Sequence, residues 1–114
     1  MAAIAPSVGP GRPSPADGDE DPPTEILRVS TSSDVKGLAG AIAGCVRSSG
    51  AVALEVVGAG ALNQAVKASA VARSMLQAEG LDLVATPTFR RIEIDGEPRN
   101  ALRLHLDHRF SPPA

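Results

Sequence analysis

Few stretches restrict a fold as tightly as residues 57–68, Val-Gly-Ala-Gly-Ala-Leu-Asn-Gln-Ala-Val-Lys-Ala. An apolar strand, Ala51 to Val57, runs into Gly58-x-Gly60, and the turn opens straight into a helix of small residues. Glycines permit a sharp turn and a close approach of backbone. A helix start carries free N–H groups and partial positive charge, and such a place can hold an anion such as phosphate. Asn63 and Gln64 add amide donors in the first turn, and Lys67 adds a cation one turn later. The plainer reading is that Gly58 and Gly60 only make a tight strand-to-helix turn.

The rest of the chain arranges itself around this unit. Residues 1–24 are rich in Pro, Gly, Ala and Asp and have no apolar period. Such a segment cannot bury enough surface to offset its ordering entropy, so it is expected to be a disordered tail. Ile26 to Ser30 reads as a first strand. Ser32 or Ser33 can cap a first helix, with Asp34 in its first turn. Val35, Leu38, Ala39, Ile42, Cys45 and Val46 recur at helical spacing as its buried stripe. Gly37, Gly40 and Gly44 form a second ridge, which suggests that a helix or a partner backbone packs close there. The second helix is expected over Ala61–Ala78, burying Leu62, Ala65, Val66, Ser69, Ala72 and Leu76. A third strand begins at Leu81, and Pro87 marks an edge, a bulge or a break in it. It resumes from Phe89 to Ile94, and Asp95-Gly96 is a strong hairpin signal. Arg99 to Asp107 makes the fourth strand, and residues 110–114 are read as a tail.

The order β-α-β-α-β-β gives an α/β two-layer sandwich with a mixed four-stranded sheet. Parallel crossovers are right-handed in nearly all cases. If both move the same way across the sheet, both helices lie on one face. Arg28, Glu55, Arg91, Glu93, Arg103 and His105 are then expected on the bare face, a mixed-charge surface without aromatics.

Composition excludes several function classes. The formal net charge is −2, whereas general polyanion binders have a domain pI above about 9. Four acidic residues of the first segment stand against Arg12, which leaves residues 25–114 with ten Lys/Arg and nine Asp/Glu. Local patches must therefore decide the partners. Trp and Tyr are absent and Phe occurs twice, so a base-stacking platform is not expected. The single Cys45 forms no disulfide framework and reads as a small packed group. No signal peptide or spanning segment is apparent, so a cytoplasmic protein without membrane contact is expected. His105 and His108 lack further ligands at metal spacing, so no metal is expected. No nucleophile elbow, zinc-protease pair or Walker lysine is present, and Asn63 stands where the dinucleotide fingerprint needs a third glycine. Neither enzyme activity nor a cofactor is expected. Arg90, Arg91 and Arg99 flank the hairpin and could grip phosphates; the alternative is cross-strand pairing with Glu93, Asp95 and Glu97.

Three runs and the long central one carry a resemblance: Ile26–Ser30, Gly37–Gly44 (Gly-Leu-Ala-Gly-Ala-Ile-Ala-Gly), Gly58–Ala68 and Ile92–Glu97. Over residues 25–109 the chain resembles the stage V sporulation protein S family of bacteria, which is itself similar in fold to Alba, a small archaeal chromatin protein. The resemblance implies an Alba-like domain with strand order 1-2-4-3 and both helices on one face. It also implies a homodimer that binds DNA or RNA and acts on gene expression during late spore development. The family also occurs in bacteria that do not sporulate. Alba places adjacent lysines after its first strand and carries a long basic hairpin. Here the loop is Ser30-Thr31-Ser32-Ser33-Asp34, and the turn is tight and mixed in charge. The expected contact surface is then Lys36, Lys67, Arg90, Arg91 and Arg99 on phosphates, assisted by Gly58, Gly60, Asn63 and Gln64. Two rivals remain, a protein-interaction module in developmental regulation, and a small-anion or nucleotide site at the Gly58–Asn63 turn.

Overall fold

A four-residue strand, β1 (Ile26–Val29), pairs in parallel with β2 (Ala51–Val56), and the helix α1 (Val35–Ser49) connects them. These elements come from a computed structural model that describes residues 24–110. The expected tails, apart from Thr24 and Phe110, lie outside the described residues. α2 (Ala59–Gln77) leads from β2 to β3 (Leu81–Ile94), and a hairpin returns the chain as β4 (Glu97–Phe110). The sheet order is β1-β2-β4-β3. β4 is antiparallel to both neighbours, so β1, β2 and β3 all point the same way and β4 is inserted between the last two. This is the mixed α/β sandwich that the element order and the resemblance imply.

Local chemistry sets the ends of α1. Asp34 is its N-cap, accepting from Gly37 N–H at 2.8 Å. A carboxylate at this position also meets the positive end of the helix dipole. The serines proposed as caps are spent on their own loop: Ser30 N–H donates to Ser33 Oγ at 2.9 Å, and Ser33 N–H to the Ser30 carbonyl at 3.1 Å. At the other end, Gly50 closes the helix in the left-handed region, and its N–H donates to the Val46 carbonyl. His108 Nδ1 meets the Gly50 carbonyl at 2.9 Å. A carbonyl only accepts, so that ring nitrogen carries the proton.

The core lies between the helices and one face of the sheet. Ala39, Ile42, Ala43 and Val46 of α1 meet Ala61, Ala65, Ala68, Ala72 and Leu76 of α2 over Val52, Leu54, Val56, Leu104 and Leu106. One shared core places both helices on the same side. The buried stripe of α2 is rotated from the expected one. Ala61 and Ala68 are buried, Val66 is 53% exposed, and Ser69 is half-buried with its hydroxyl donating to the Ala65 carbonyl. Alanines let the two helices approach closely, while the bulkier Leu62 and Val66 fit only at the flank. Cys45 packs against this core, and burial first, then Glu25, pushes its thiol pKa up, which keeps it protonated and unreactive. Gly40 and Gly44 do not serve packing among the described residues: beyond their chain neighbours and the backbone of α1 itself, no described atom lies within 4 Å of where their Cβ atoms would stand.

β3 runs without a break through Pro87, which pairs with Leu104. Its place at the sheet edge explains the tolerance, since alternate N–H groups of an edge strand have no neighbour to bond. Because no bulge intervenes, alternation from the core residue Leu83 puts Leu83, Arg91 and Glu93 on the helix side. Arg90, Ile92 and Ile94 fall on the helix-free face with Arg99 and Arg103. The expected bare face therefore loses Arg91 and Glu93. The hairpin turns through Asp95 (φ 53°) and Gly96 (φ 78°), the two positive φ values of a type I′ turn.

At the edge, Asp82 is only 7% exposed, held by Arg73 Nε at 2.5 Å and by Arg109 Nη2 at 3.3 Å. Its own neighbour Leu83 donates N–H at 2.9 Å. The Arg73 hydrogen bond, then that of Leu83, draws the carboxyl pKa down to about 2 from 3.8, against the opposing effect of burial. A depressed folded pKa contributes stability that is complete above the unfolded value and is lost as pH falls through the folded one. Urea denaturation between about pH 5 and 2 should show this loss beginning near pH 4, and Asp82→Asn should flatten that part of the profile. An unchanged acid limb in the variant would remove Asp82 from this role.

Candidate nucleic-acid interface

Topology brings the candidate residues other than Lys67 to one end of the molecule, and Lys67 stands about two turns along α2 from it. β1 and β2 are parallel, so both carboxyl ends lie at the same edge, and α1 and α2 both begin there. The last residue of β2, Val56, pairs with Leu102. Glu97–Ala101 of β4 and their partners Arg90–Ile94 of β3 therefore project beyond β2 as an arm at that same end. Lys36 stands exposed in the first turn of α1. Asn63 and Lys67 are exposed and share an outward face of α2 at i, i+4 spacing. Arg90, Arg91 and Arg99 are exposed on the arm.

The Gly58-x-Gly60 turn divides its labour. Gly58 is the N-cap of α2 with φ 92° and ψ 159°, a conformation open to glycine, and no side chain caps the helix. The helix starts two residues earlier than expected, so Gly60 lies inside its first turn. A Cβ at Gly60 would run into Thr31 Cγ2. Gln64 is committed as well: its Nε2 donates to the Ser33 carbonyl at 2.9 Å. Gly60 and Gln64 thus dock the β1–α1 loop onto α2. As site residues they hold the scaffold, and the proposed amide contribution falls to Asn63 and to the uncapped N–H groups of α2.

Charge pairing sorts the cations into two sets. Arg28 and Arg103 hold Glu55 at 3.3 and 2.8 Å, Arg73 and Arg109 hold Asp82, and Arg47 holds Glu79 at 2.8 Å. Among the described residues, Lys36, Lys67, Arg90, Arg91 and Arg99 take part in no ion pair. Cross-strand pairing within the arm is absent for a geometric reason. Arg90 faces Ala101, Arg91 faces Asn100, Ile92 faces Arg99 and Glu93 faces Pro98. No carboxylate stands directly opposite a guanidinium.

Sequence reading missed the Glu55 cluster as a unit. Glu55 is 6% exposed on the helix-free face, and Arg103 Nε, buried beside it, has no hydrogen-bond partner. The signal was present as single charges in the middle of apolar strands. Among the described residues, no group of His, Cys, Asp and Glu could hold a metal ion, and no helix is long and apolar enough to cross a membrane.

Gly60→Ala should destabilise the fold by about 1–3 kcal/mol, the usual range for overpacking. Adding Thr31→Ala should recover most of it, as read by thermal or urea unfolding. Equal stability of wild type and Gly60→Ala would show that the loop yields freely.

Residues 25–109 match the family Stage V sporulation protein S (SpoVS), and the match spans nearly every described residue from β1 to the end of β4. With the element order, the sheet and the match in agreement, the chain belongs to the stage V sporulation protein S family.

Proposed function

We propose that this chain is a nucleic-acid-binding regulator, probing no chemistry of its own and contacting phosphates through the arm and the helix starts. Membership of the family supports a sporulation-related role. The observation that carries the binding reading is a set of five cations that, among the described residues, take part in no ion pair, four of them (Lys36, Arg90, Arg91 and Arg99) near the end where the helices begin, while Arg28, Arg47, Arg73, Arg103 and Arg109 are each held by a carboxylate. Cations that are not neutralised within the fold remain available to phosphate oxygens. With no aromatic platform on the sheet, contact is mainly electrostatic and weakly selective for sequence. A second copy of the chain would double the number of such ends. Val66 (53% exposed) and Phe89 (84% exposed) leave apolar surface that self-association would cover.

One observation favours a protein partner instead. Gly40 and Gly44 stand on α1 with open space beside them. Glycine inside a helix costs about 1 kcal/mol against alanine, and no contact among the described residues offsets that cost. A partner backbone lying along α1 would do so.

Binding of labelled duplex DNA, single-stranded DNA and RNA to the full chain across a salt series tests the first reading. Three to five phosphate contacts on duplex DNA predict a log–log slope of roughly −3 to −5. Arg90→Ala/Arg91→Ala should reduce the slope magnitude by about 1–2 and Lys67→Ala by about 1. A salt-independent signal, or slopes unchanged in both variants, would overturn the mechanism. Sedimentation of the free chain should show a dimer, and Phe89→Asp should shift it toward monomer.

A further inference from the structure

Between the arm and the carboxyl ends of β1 and β2 lies an open hollow of about 330 Å³. It sits where open α/β sheets commonly bind ligands, outside the carboxyl ends of parallel strands. Its volume falls at the small end of ligand pockets, which run from about 300 to 1,000 Å³. One wall is apolar, made by Ile92 and Ile94 of the arm and by Val57. Another is polar, made by Arg28, Glu55, Ser30 and Thr31. Ala61, in the uncapped first turn of α2, closes the end.

Three features define what would fit. Glu55 is charged but is held by both Arg28 and Arg103, so the cluster carries net positive charge and favours an anion. Arg28 is 83% exposed, its guanidinium open to solvent on the outer side of the pair. The isoleucines require an apolar or flat body beside that anion. Arg99 pairs with Ile92 across the arm, adding a second cation beside the apolar wall. A lipid tail would need a deeper channel, and inorganic phosphate would leave the apolar wall uncovered.

We propose that this hollow binds a nucleoside monophosphate, with the phosphate toward Arg28, Thr31 and the start of α2 and the base against Ile92 and Ile94. The nucleotide is either free or one unstacked unit of a single strand, whose chemistry is the same. The site shares Arg99 and the start of α2 with the phosphate contacts under the proposed function, whereas Lys36, Lys67, Arg90 and Arg91 form no part of it.

The test is an amide-resolved NMR titration of the full chain with AMP, UMP, adenosine and inorganic phosphate. AMP or UMP should move the amides of Arg28–Thr31, Val57–Ala61 and Ile92–Ile94 and saturate. Adenosine and phosphate should each bind at least about tenfold more weakly, the loss of roughly 1.4 kcal/mol. Ile94→Glu, on the exposed arm, and Arg28→Gln should each weaken AMP by about tenfold or more while the spectrum stays folded. A single-stranded octamer that displaces AMP identifies the strand as the source, and one that binds beside AMP identifies free nucleotide. Absence of saturable shifts at about 5 mM AMP, where sites weaker than roughly −3 kcal/mol fall from view, would overturn the proposal. So would phosphate binding as tightly as AMP, or an Ile94→Glu variant with unchanged affinity. Salt-dependent oligonucleotide binding that survives any of those failures would leave the nucleic-acid reading standing alone.

Discussion

The methyl group of Thr31 rests on Gly60 at the end of the molecule where both helices begin. That contact seats the β1–α1 loop on the first turn of α2, and the Gln64 bond to the Ser33 carbonyl locks it. Both helix starts are thereby fixed against the same edge of the sheet. Were a side chain present at residue 60, it would displace that of Thr31, and the loop would lose its close seat on the α2 start.

A second constraint is the insertion of β4 between β2 and β3. β2 ends at Val56 while its neighbour continues for five residues, so the β3–β4 pair has to leave the sheet. The arm therefore arises from unequal strand lengths, without any special loop. It places guanidinium groups opposite neutral residues, which keeps them out of ion pairs. Among the described residues the other arginines meet carboxylates, Arg28 and Arg103 on the sheet, Arg73 and Arg109 at its edge, and Arg47 at Glu79 after α2. In a chain that is nearly neutral in total, strand register thus keeps the three arm arginines, like the arm's own Glu93, Asp95 and Glu97, out of ion pairs among the described residues, which a net charge cannot reveal.

Much of this fold was legible in the sequence because its signals are short-range. The Gly58–Ala68 run, the Asp95-Gly96 turn and the alternation of Leu102, Leu104 and Leu106 each fix an element locally. Errors arose where a choice depended on distant groups. Asp34 rather than a serine caps α1 because the serines bond one another in a loop held by α2. Val66 was assigned to the core because small residues carry a weak apolar period, and only the fit against α1 selects Ala61 and Ala68. Arg91 and Glu93 changed faces because Pro87 can signal either a bulge or an edge, and the register of β4 decides between them. The candidate cations were legible as charges, whereas their lack of partners needed the cross-strand register. Glu55 was invisible as a centre because its two arginines lie 27 and 48 positions away in the chain.

Pro87 has one more consequence. β3 is a fourteen-residue edge strand, and a long open edge is a template for pairing with further strands, the route to fibrous aggregation. The proline removes a donor from the middle of that edge, and Arg90 and Arg91 follow it with adjacent positive charge. Such interruptions act as gatekeepers against uncontrolled sheet extension. Arg90 and Arg91, proposed above as phosphate contacts, also guard this edge against strand addition, so solubility and the proposed binding surface draw on one set of side chains.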